Sequence, residues 1–189
     1  MGEEHSAQKA AAGTVKEIWE WLRAILIAVL LFFLIRSFVF APFIVDGDSM
    51  VPSLHDGERL IVTRIFYYFT EPQRGDVVVF HASAERDYIK RVIGLPGDTV
   101  EMRQDRLWIN GEEVDEPYIA QMRQWAREHG IYYTEDFGPV TVPQGHYFVL
   151  GDNRRNSRDS RSIGAIPKEG IVGRADWVFW PLQEMRKVD

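Results

Sequence analysis

Twelve consecutive apolar residues, Ala24–Ile35, form the longest hydrophobic run in the chain. Apolar side chains continue on both sides of the run, so the stretch reaches the ~20 residues that a helix needs to cross ~30 Å of hydrocarbon. Two tryptophans precede it, and Arg23 and Arg36 lie near its ends, where long side chains can reach the membrane interface. The pattern predicts a transmembrane helix over residues 18–40.

The same run is also compatible with a cleaved secretory signal or with a buried helix of a soluble protein. The small-residue pattern that follows it is Val39-Phe40-Ala41, and the next residue is Pro42. Because a proline is a poor residue directly after a scissile bond, we expect the segment to remain as an uncleaved anchor.

The basic residues around the run predict its orientation. Lys9, Lys16 and Arg23 precede it, whereas only Arg36 follows closely. Under the positive-inside rule this favours a cytoplasmic N-terminal tail, residues 1–17. The protein is then a single-pass protein of the cell membrane, and residues 41–189 form an extracytoplasmic domain.

Beyond Pro42 the hydrophobic pattern changes to short segments that alternate or are rich in β-branched residues, separated by turn residues. Asn110-Gly111 is a strong signal for a two-residue hairpin turn. Only Tyr118–Glu128 has a helical pattern. The fold class predicted is mainly β, an antiparallel β-sandwich or open barrel preceded by one N-terminal transmembrane helix. The predicted strands are Glu58–Arg64, Asp76–Phe80, Tyr88–Leu95, Asp98–Arg103, Leu107–Val114, Val140–Val142, His146–Leu150 and Ile171–Trp180.

The composition limits the kinds of catalytic and binding site that the chain can contain. The chain has 189 residues, a net charge of −6 and no cysteine. It therefore has no disulfide, thiolate nucleophile or cysteine-bound metal. Residues 1–40 contain four basic and four acidic residues, so the whole net charge belongs to residues 41–189. An acidic, aromatic-rich chain is poorly suited to binding nucleic acid through its phosphates.

Three polar segments contain residues that are candidates for a catalytic site. Ser49 lies in a turn-like segment, D-G-D-S-M-V-P, where most serines are ordinary turn hydroxyls. Lys90 shares a predicted strand face with Tyr88 and Val92. It is either a lysine that reaches solvent from an edge strand or a desolvated general base, because burial opposes the charged ammonium. The third segment, residues 151–162, is either a solvated loop or a support for a neighbouring site.

Taken together, the segments resemble the bacterial type I signal peptidases, which are membrane-anchored serine proteases with a Ser–Lys dyad. The resemblance is closest to the short, single-span Gram-positive-like members and covers most of the chain. It rests on an N-terminal anchor followed in order by V-D-G-D-S-M-V-P-S-L, R-G-D-V-V-V-F, Y-I-K-R-V-I-G-L-P-G-D and G-D-N-R-R-N-S-R-D-S-R.

The resemblance implies a role for each matching residue. Ser49 is the nucleophile, Lys90 is the general base, and Ser157 orients the lysine amine. The backbone N–H of Ser49 supplies one oxyanion-hole donor. Some members have a serine two residues before the nucleophile as a second donor, but this chain has Gly47 there, so the second donor is left open. A supporting network is implied for Arg91, Asp152, Asp159 and Arg161.

The resemblance also implies the substrate: preproteins that bear N-terminal signal peptides and are cleaved after small residues at Ala-X-Ala type sites. Shallow pockets for the small residues match Phe43, Val45, Met50, Leu54, Asp87, Tyr88 and Ile89. An apolar surface around Phe43, Ile44 and Met50 is expected to contact membrane lipid. No cofactor or metal is implied.

Two other functions are kept open by the sequence. A self-cleaving repressor-type Ser–Lys protease has a related β architecture, although it predicts a DNA-binding N-terminal segment. A membrane-anchored binding module without catalysis predicts loss of Ser49 or Lys90, and both are present. A zinc protease or Ser–His–Asp hydrolase is disfavoured, since the chain contains neither H-E-x-x-H nor a G-x-S-x-G segment around Ser49.

Overall fold

A computed structural model describes residues 17–33, 40–83 and 85–188. The chain divides into two compact units, Met1–Val39 and Phe40–Asp189. In the first unit, residues 17–33 form helix α1, whose large apolar side chains are exposed. Within the described residues, no helix combines the length and the apolar character required to cross a membrane. Residues 34–39 of the predicted span lie outside the described residues.

The second unit is built mainly from antiparallel strands, as predicted. In chain order they are β1 (Phe40–Ile44), β2 (Arg59–Thr63), β3 (Val77–His81), β4 (Asp87–Gly94), β5 (Thr99–Arg103), β6 (Arg106–Ile109), β7 (Glu112–Val114), β8 (Phe137–Thr141), β9 (His146–Leu150), β10 (Ile166–Pro167), β11 (Ile171–Trp180) and β12 (Arg186–Lys187).

These strands form two sheets. The larger has the order β1-β2-β11-β3-β4-β9-β10, and β12 also pairs with β11. The smaller has the order β7-β6-β5-β8. Asn110 and Gly111 connect β6 to β7 with φ angles of 53° and 83°. Two successive residues in this left-handed region are what a tight hairpin turn requires, and the turn predicted from Asn-Gly is confirmed.

The helices of the second unit are short. They are α2 (Phe66–Phe69), α3 (Ala120–Glu128), which follows a 3₁₀ turn at Pro117–Ile119, and α4 (Ser160–Ile163). The helix predicted for Tyr118–Glu128 is confirmed. The sequence pattern missed α2 and α4, because a single helical turn is too short to show a 3.6-residue period. It also missed β1, where Pro42 interrupts the run of residues typical of strands.

Strand β4 organises the core around the functional residues. Its alternating side chains contribute to three different apolar clusters: Ile89 packs on the first, Val92 belongs to another, and Ile93 belongs to the cluster beside the small sheet. The strand is thereby fixed on both faces. Polar side chains of β4 that lie between these apolar positions are held in defined places.

Candidate active site

The loop that carries Ser49 is fixed at several points. Gly47 has a φ of 85°, in the left-handed region that favours glycine, and its N–H donates to a carboxylate oxygen of Asp56 at 2.8 Å. The carbonyl of Ser49 accepts from the backbone N–H of Asn153 at 3.0 Å, and the Asn153 side chain donates to the carbonyl of Asp48. The serine loop is therefore tied to the polar loop that follows β9.

Lys90 extends from β4 to the serine. Its Nζ lies 2.7 Å from Ser49 Oγ and donates to the carbonyl of Ile89, also at 2.7 Å. It stands 5.4 Å from the centre of the Tyr88 ring. Only 3% of the residue is exposed to solvent. A lysine in this position is not the solvated edge lysine that the sequence also allowed.

Burial changes the acidity of the Lys90 amine. Desolvation lowers its pKa from 10.5 to about 8, and the negative charges of Asp159 and Asp152 partly oppose this shift. With a pKa of about 8, roughly a tenth of the molecules carry a neutral amine at pH 7, several hundred times more than at the ordinary pKa of 10.5. The amine can then accept a proton from a hydroxyl within hydrogen-bond distance.

Two ion pairs lie beneath the site. Arg91, next to the lysine on β4, forms two hydrogen bonds with the Asp152 carboxylate, at 2.9 and 2.7 Å. Asp159 forms two with Arg161, both at 2.8 Å, and accepts the N–H of Gly151 at 3.0 Å. Burial alone would raise the pKa of Asp159, but the bonds and charge of Arg161 and the Gly151 amide outweigh it and hold this pKa below its usual value.

The role expected for Ser157, orienting the lysine amine, stays a prediction. The Oγ of Ser157 is buried, and no hydrogen bond joins it to the Lys90 amine. The amine bonds instead to Ser49 and to the carbonyl of Ile89. Ser157 packs closely on Gly151: a Cβ added to that glycine would lie 2.2 Å from Ser157 Oγ and 2.5 Å from the carbonyl oxygen of Ser49.

A cleft of about 320 Å³ opens in front of the Ser49 and Lys90 side chains. Five of the seven predicted substrate-binding residues line it: Phe43, Val45, Asp87, Tyr88 and Ile89. The expectation for Met50 and Leu54 is corrected. Both have no exposed surface and belong to the core cluster beneath the cleft, because the serine loop turns these apolar side chains inward.

The lipid-facing surface predicted around Phe43, Ile44 and Met50 is likewise only partly accessible. Ile44 is 65% exposed and Phe43 lines the cleft, whereas Met50 is wholly buried. Arg158 also lines the cleft. The sequence analysis did not single it out, since one arginine in a polar loop carries no pattern of its own.

One edge of β4 is open beside the cleft. Residues Asp87 to Arg91 pair with β3, whereas β9 pairs with β4 only from Arg91 onward. Within the described residues, no strand occupies the second edge of β4 between Asp87 and Lys90. An extended peptide can add to such an edge through backbone hydrogen bonds.

The oxyanion region has one backbone donor available. In the described part of the chain no acceptor takes the N–H of Ser49, whereas the N–H of Gly47 is bonded to Asp56. A serine side chain at position 47 is absent, as the sequence shows. Gly47 therefore offers neither a hydroxyl nor a free amide in this arrangement.

A further buried network was not found from the sequence. Glu116 accepts hydrogen bonds from Arg154 at 2.5 Å, Arg123 at 2.5 Å and Tyr118 at 2.7 Å. Burial alone would raise the pKa of Glu116, but the charge and bonds of Arg154, with help from Tyr118 and Arg123, hold it below its usual value. Arg154 Nε donates to the carbonyl of Gly151 at 3.0 Å, so the network reaches the polar loop of the site.

The segment around α3 contacts the site in two more places. The guanidinium of Arg91 lies 4.0 Å from the centre of the Tyr118 ring, and the hydroxyl of Tyr133 donates to the carbonyl of Asp152 at 2.8 Å. Tyr118 and Tyr133, at and beyond the ends of this segment, therefore pack against the Arg91–Asp152 ion pair. Among the described residues, no cluster of three histidines and acidic residues is arranged to hold a metal ion.

A serine hydroxyl hydrogen-bonded to a buried amine, next to a cleft and an open strand edge, is the arrangement of a serine hydrolase that acts on peptides. The family described as "Signal peptidase, peptidase S26" matches residues 18–180. The chain therefore belongs to the signal peptidase family, peptidase S26, and is a serine endopeptidase of the signal peptidase I type.

Individual relatives agree with this assignment. The chain is 53% identical over 176 residues to signal peptidase I S of Bacillus subtilis, covering 92% of this chain and 95% of the relative. It is 49% identical to signal peptidase I of Bacillus licheniformis, with both chains covered completely. The crystal structure of a signal peptidase I from Enterococcus faecalis is 40% identical, with a TM-score of 0.51, and covers 56% of this chain and 97% of that chain.

Proposed function

We propose that this chain removes N-terminal signal peptides from exported preproteins, with Ser49 as nucleophile and Lys90 as general base. The observation that carries the assignment is the buried Lys90 amine 2.7 Å from Ser49 Oγ. Membership of the signal peptidase family supplies the substrate class. The preproteins are the partners of the enzyme, and the reaction is hydrolysis of one peptide bond.

The reaction proceeds in two halves. Neutral Lys90 accepts the Ser49 proton as Oγ attacks the scissile carbonyl, and the backbone N–H of Ser49 stabilises the oxyanion. The Lys90 ammonium then gives this proton to the departing amine, which leaves an acyl-enzyme on Ser49. In the second half, Lys90 takes a proton from water, the resulting hydroxide attacks the ester, and Ser49 recovers its proton as the signal peptide departs.

The polar residues around the dyad position it. Arg91 and Asp152 fix strand β4 to the polar loop, while Asp159 and Arg161 fix the amide of Gly151. Ser157 is assigned a positioning role through its buried hydroxyl beside Gly151. Oriented toward the amine, this hydroxyl would present the lysine lone pair to Ser49, as a third group does in other serine hydrolases.

The cleft suits small side chains in the substrate. The cleft has a volume of about 320 Å³, and its walls include the side chains of Phe43, Val45, Tyr88 and Ile89. An extended substrate pairs with the open edge of β4, and alternate side chains then point into the cleft. This supports cleavage after Ala-X-Ala type sequences, in which the first and third residues before the scissile bond are small.

Membrane anchoring is expected for the family. We assign residues 18–40 as the anchor, residues 1–17 as a cytoplasmic tail and residues 41–189 as the extracytoplasmic peptidase domain. The apolar run Ala24–Ile35 and the excess of basic residues before it support this assignment. The exposed side chain of Ile44, close to the start of the peptidase domain, is a candidate contact with lipid.

The decisive experiment compares preprotein cleavage by the full chain in detergent or lipid. Ser49→Ala and Lys90→Ala are each expected to abolish processing, because one removes the nucleophile and the other the base. Ser83→Ala and Lys187→Ala, which change exposed residues outside the cleft, are the matched controls. Normal processing by either dyad variant would refute the mechanism, and an inactive wild-type chain would instead indicate a non-catalytic binding module.

A further inference from the structure

A second groove, of about 520 Å³, opens next to the catalytic cleft, and Asp87 lies in the wall of both. Its polar lining consists of Arg64, Tyr67, His81, Asp87, Lys168 and Glu169. The proposed catalytic steps use none of the residues of this groove. Its position makes it a continuation of the cleft beyond Asp87.

The strand register explains why these residues meet. Strand β2 ends at Thr63, directly before Arg64, and β3 ends at His81, which pairs with Asp87 at the start of β4. Strand β11 begins at Ile171, which pairs with Phe80 near the end of β3. The last residues of β2 and β3 and the first residues of β4 and β11 therefore lie at the same end of the large sheet.

Most charges in the groove are already paired. His81 Nδ1 lies 2.6 Å from a carboxylate oxygen of Asp87, and Lys168 pairs with Glu71. Arg64 differs, because among the described residues it forms no ion pair, and its Nε is buried without a hydrogen-bond acceptor. Because the Arg64 guanidinium lines the groove and has no counter-ion among the described residues, it is suited to a carboxylate supplied by a ligand. Glu169, the opposing charge, also has no ion pair in the described part of the chain.

The distance from the dyad identifies the ligand segment. Asp87 precedes Lys90 by three positions on β4, which corresponds to roughly 10 Å along a strand. An extended substrate with its scissile bond at Ser49 that pairs with this edge has its fourth residue beside Asp87. The fifth and sixth residues before the scissile bond then lie over the groove.

We propose that this groove is a subsite for a carboxylate side chain at the fifth or sixth residue before the cleavage site, bound by Arg64. The inference rests on the proposed function, and it takes the residues before the scissile bond to run along β4 from Lys90 toward Asp87. Carboxylate oxygens can accept two parallel N–H bonds from a guanidinium, which lysine cannot supply. The subsite adds a polar preference to the requirement for small residues nearer the bond.

The test uses three peptides, each with one Ala-X-Ala cleavage site. They differ only at the fifth and sixth residues before the scissile bond, which are both Glu, both Ala or both Lys. The full-length enzyme in detergent is expected to cleave the Glu peptide with a kcat/KM about tenfold above that of the Lys peptide. Arg64→Gln is expected to bring this ratio close to one, and Arg64→Lys to restore part of it. Glu169→Gln is expected to increase it, because a repulsive carboxylate is removed.

Arg59→Gln is the matched control, since Arg59 lies at the other end of β2, exposed and over the Trp180 ring, and its ratio should equal that of the wild type. A ratio within one enzyme does not depend on how much of the enzyme is folded. A wild-type ratio near one, with normal cleavage of the Ala peptide, overturns the subsite alone. If Arg64→Gln then weakens binding to phosphatidylglycerol vesicles, the groove serves a lipid headgroup instead. Failure to cleave the Ala peptide refutes the proposed function itself.

Discussion

The guanidinium of Arg91 and the carboxylate of Asp152 form two hydrogen bonds, at 2.9 and 2.7 Å, where neither side chain is more than 2% exposed. The pair joins β4, which carries Lys90, to the polar loop that contacts Ser49. A buried pair of this kind is a weak source of net stability, because desolvation offsets most of the attraction. Its value lies in fixing two separate segments of chain in one geometry.

Removing one member of the Arg91–Asp152 pair should be strongly destabilising, and the effects of removing each member should not add. Asp152→Ala leaves a buried, uncompensated cation and is expected to lower the free energy of unfolding by about 3–5 kcal/mol. Urea unfolding followed by tryptophan fluorescence measures this change. The double variant Arg91→Met, Asp152→Leu should lose clearly less than the sum of the two single changes, and strict additivity would contradict the proposed coupling. Arg106→Ala, from an exposed pair with Glu113, should change stability by less than about 1 kcal/mol.

The activity of the enzyme should rise with pH on an acidic limb centred at about 8, the pKa of Lys90, because only the neutral amine accepts the serine proton. The pH profile of kcat/KM for a peptide substrate measures this value in the free enzyme. The charge of Asp159 raises the pKa of Lys90, so Asp159→Asn should move the limb to lower pH. A profile that is flat between pH 6 and 9 would show that Lys90 is not the base.

The lowered pKa of Lys90 also predicts an effect on stability. Between pH 8 and 10.5 the unfolded chain binds more protons at this lysine than the folded chain, so stability rises with pH across that window. Below pH 8 the full cost of burying the ammonium is present. Lys90→Met should therefore be inactive but more stable than wild type near pH 7, by about 3 kcal/mol. The difference should shrink as the pH approaches 10.5, and a destabilised variant at pH 7 would contradict the assigned burial cost.

Gly151 is expected to tolerate no side chain. A Cβ there would lie 2.2 Å from Ser157 Oγ and 2.5 Å from the carbonyl oxygen of Ser49, so Gly151→Ala must displace the nucleophile loop. A loss of kcat of at least about 100-fold is expected, since small displacements of reacting groups reduce rates strongly. Gly170→Ala is the control, because the nearest atom to its added Cβ is 3.7 Å away. Wild-type kcat in Gly151→Ala would show that this contact does not position Ser49.

Glu116 is expected to be essential for the polar loop although it lies outside the cleft. Glu116→Gln removes the charge that compensates the buried guanidinium of Arg154, with an expected loss of about 3–5 kcal/mol in the free energy of unfolding. Because the pKa of Glu116 is held below its usual value, its stabilising contribution is present above the unfolded pKa of 4.5 and is lost as the pH falls through the folded value. The gap between wild type and variant should therefore close in acid. Glu128→Gln, an exposed change in α3, should leave stability within about 0.5 kcal/mol of wild type.

Local patterns in the sequence were sufficient to predict much of the fold. Residues alternate in burial along β2, and the strand predicted at Glu58–Arg64 is observed at Arg59–Thr63. The Asn110-Gly111 turn and the helix ending at Glu128 were predicted because their signals lie within a few residues. The ordered motifs around Ser49 and Lys90 identified the family, since each motif is contiguous.

Other features could not be read from short segments. Met50 and Leu54 match pocket positions in the motif, yet the serine loop buries them in the core. Glu116 and Arg154 are 38 residues apart, and nothing in either local sequence selects the other as its partner. Arg64 looks like an ordinary charged residue at the end of a strand until the sheet brings it beside Asp87.

By itself the sequence determined the periodicity of the strands, the turn residues, the absence of thiol chemistry and the presence of a serine and a lysine in family motifs. Only the tertiary structure brings Ser49 and Lys90, which are 41 residues apart along the chain, into a hydrogen bond of 2.7 Å. It also decided that the amine is buried. The physical reason is that strand propensity and turn chemistry act between neighbours along the chain, whereas desolvation and ion pairing depend on how non-adjacent strands are placed in register.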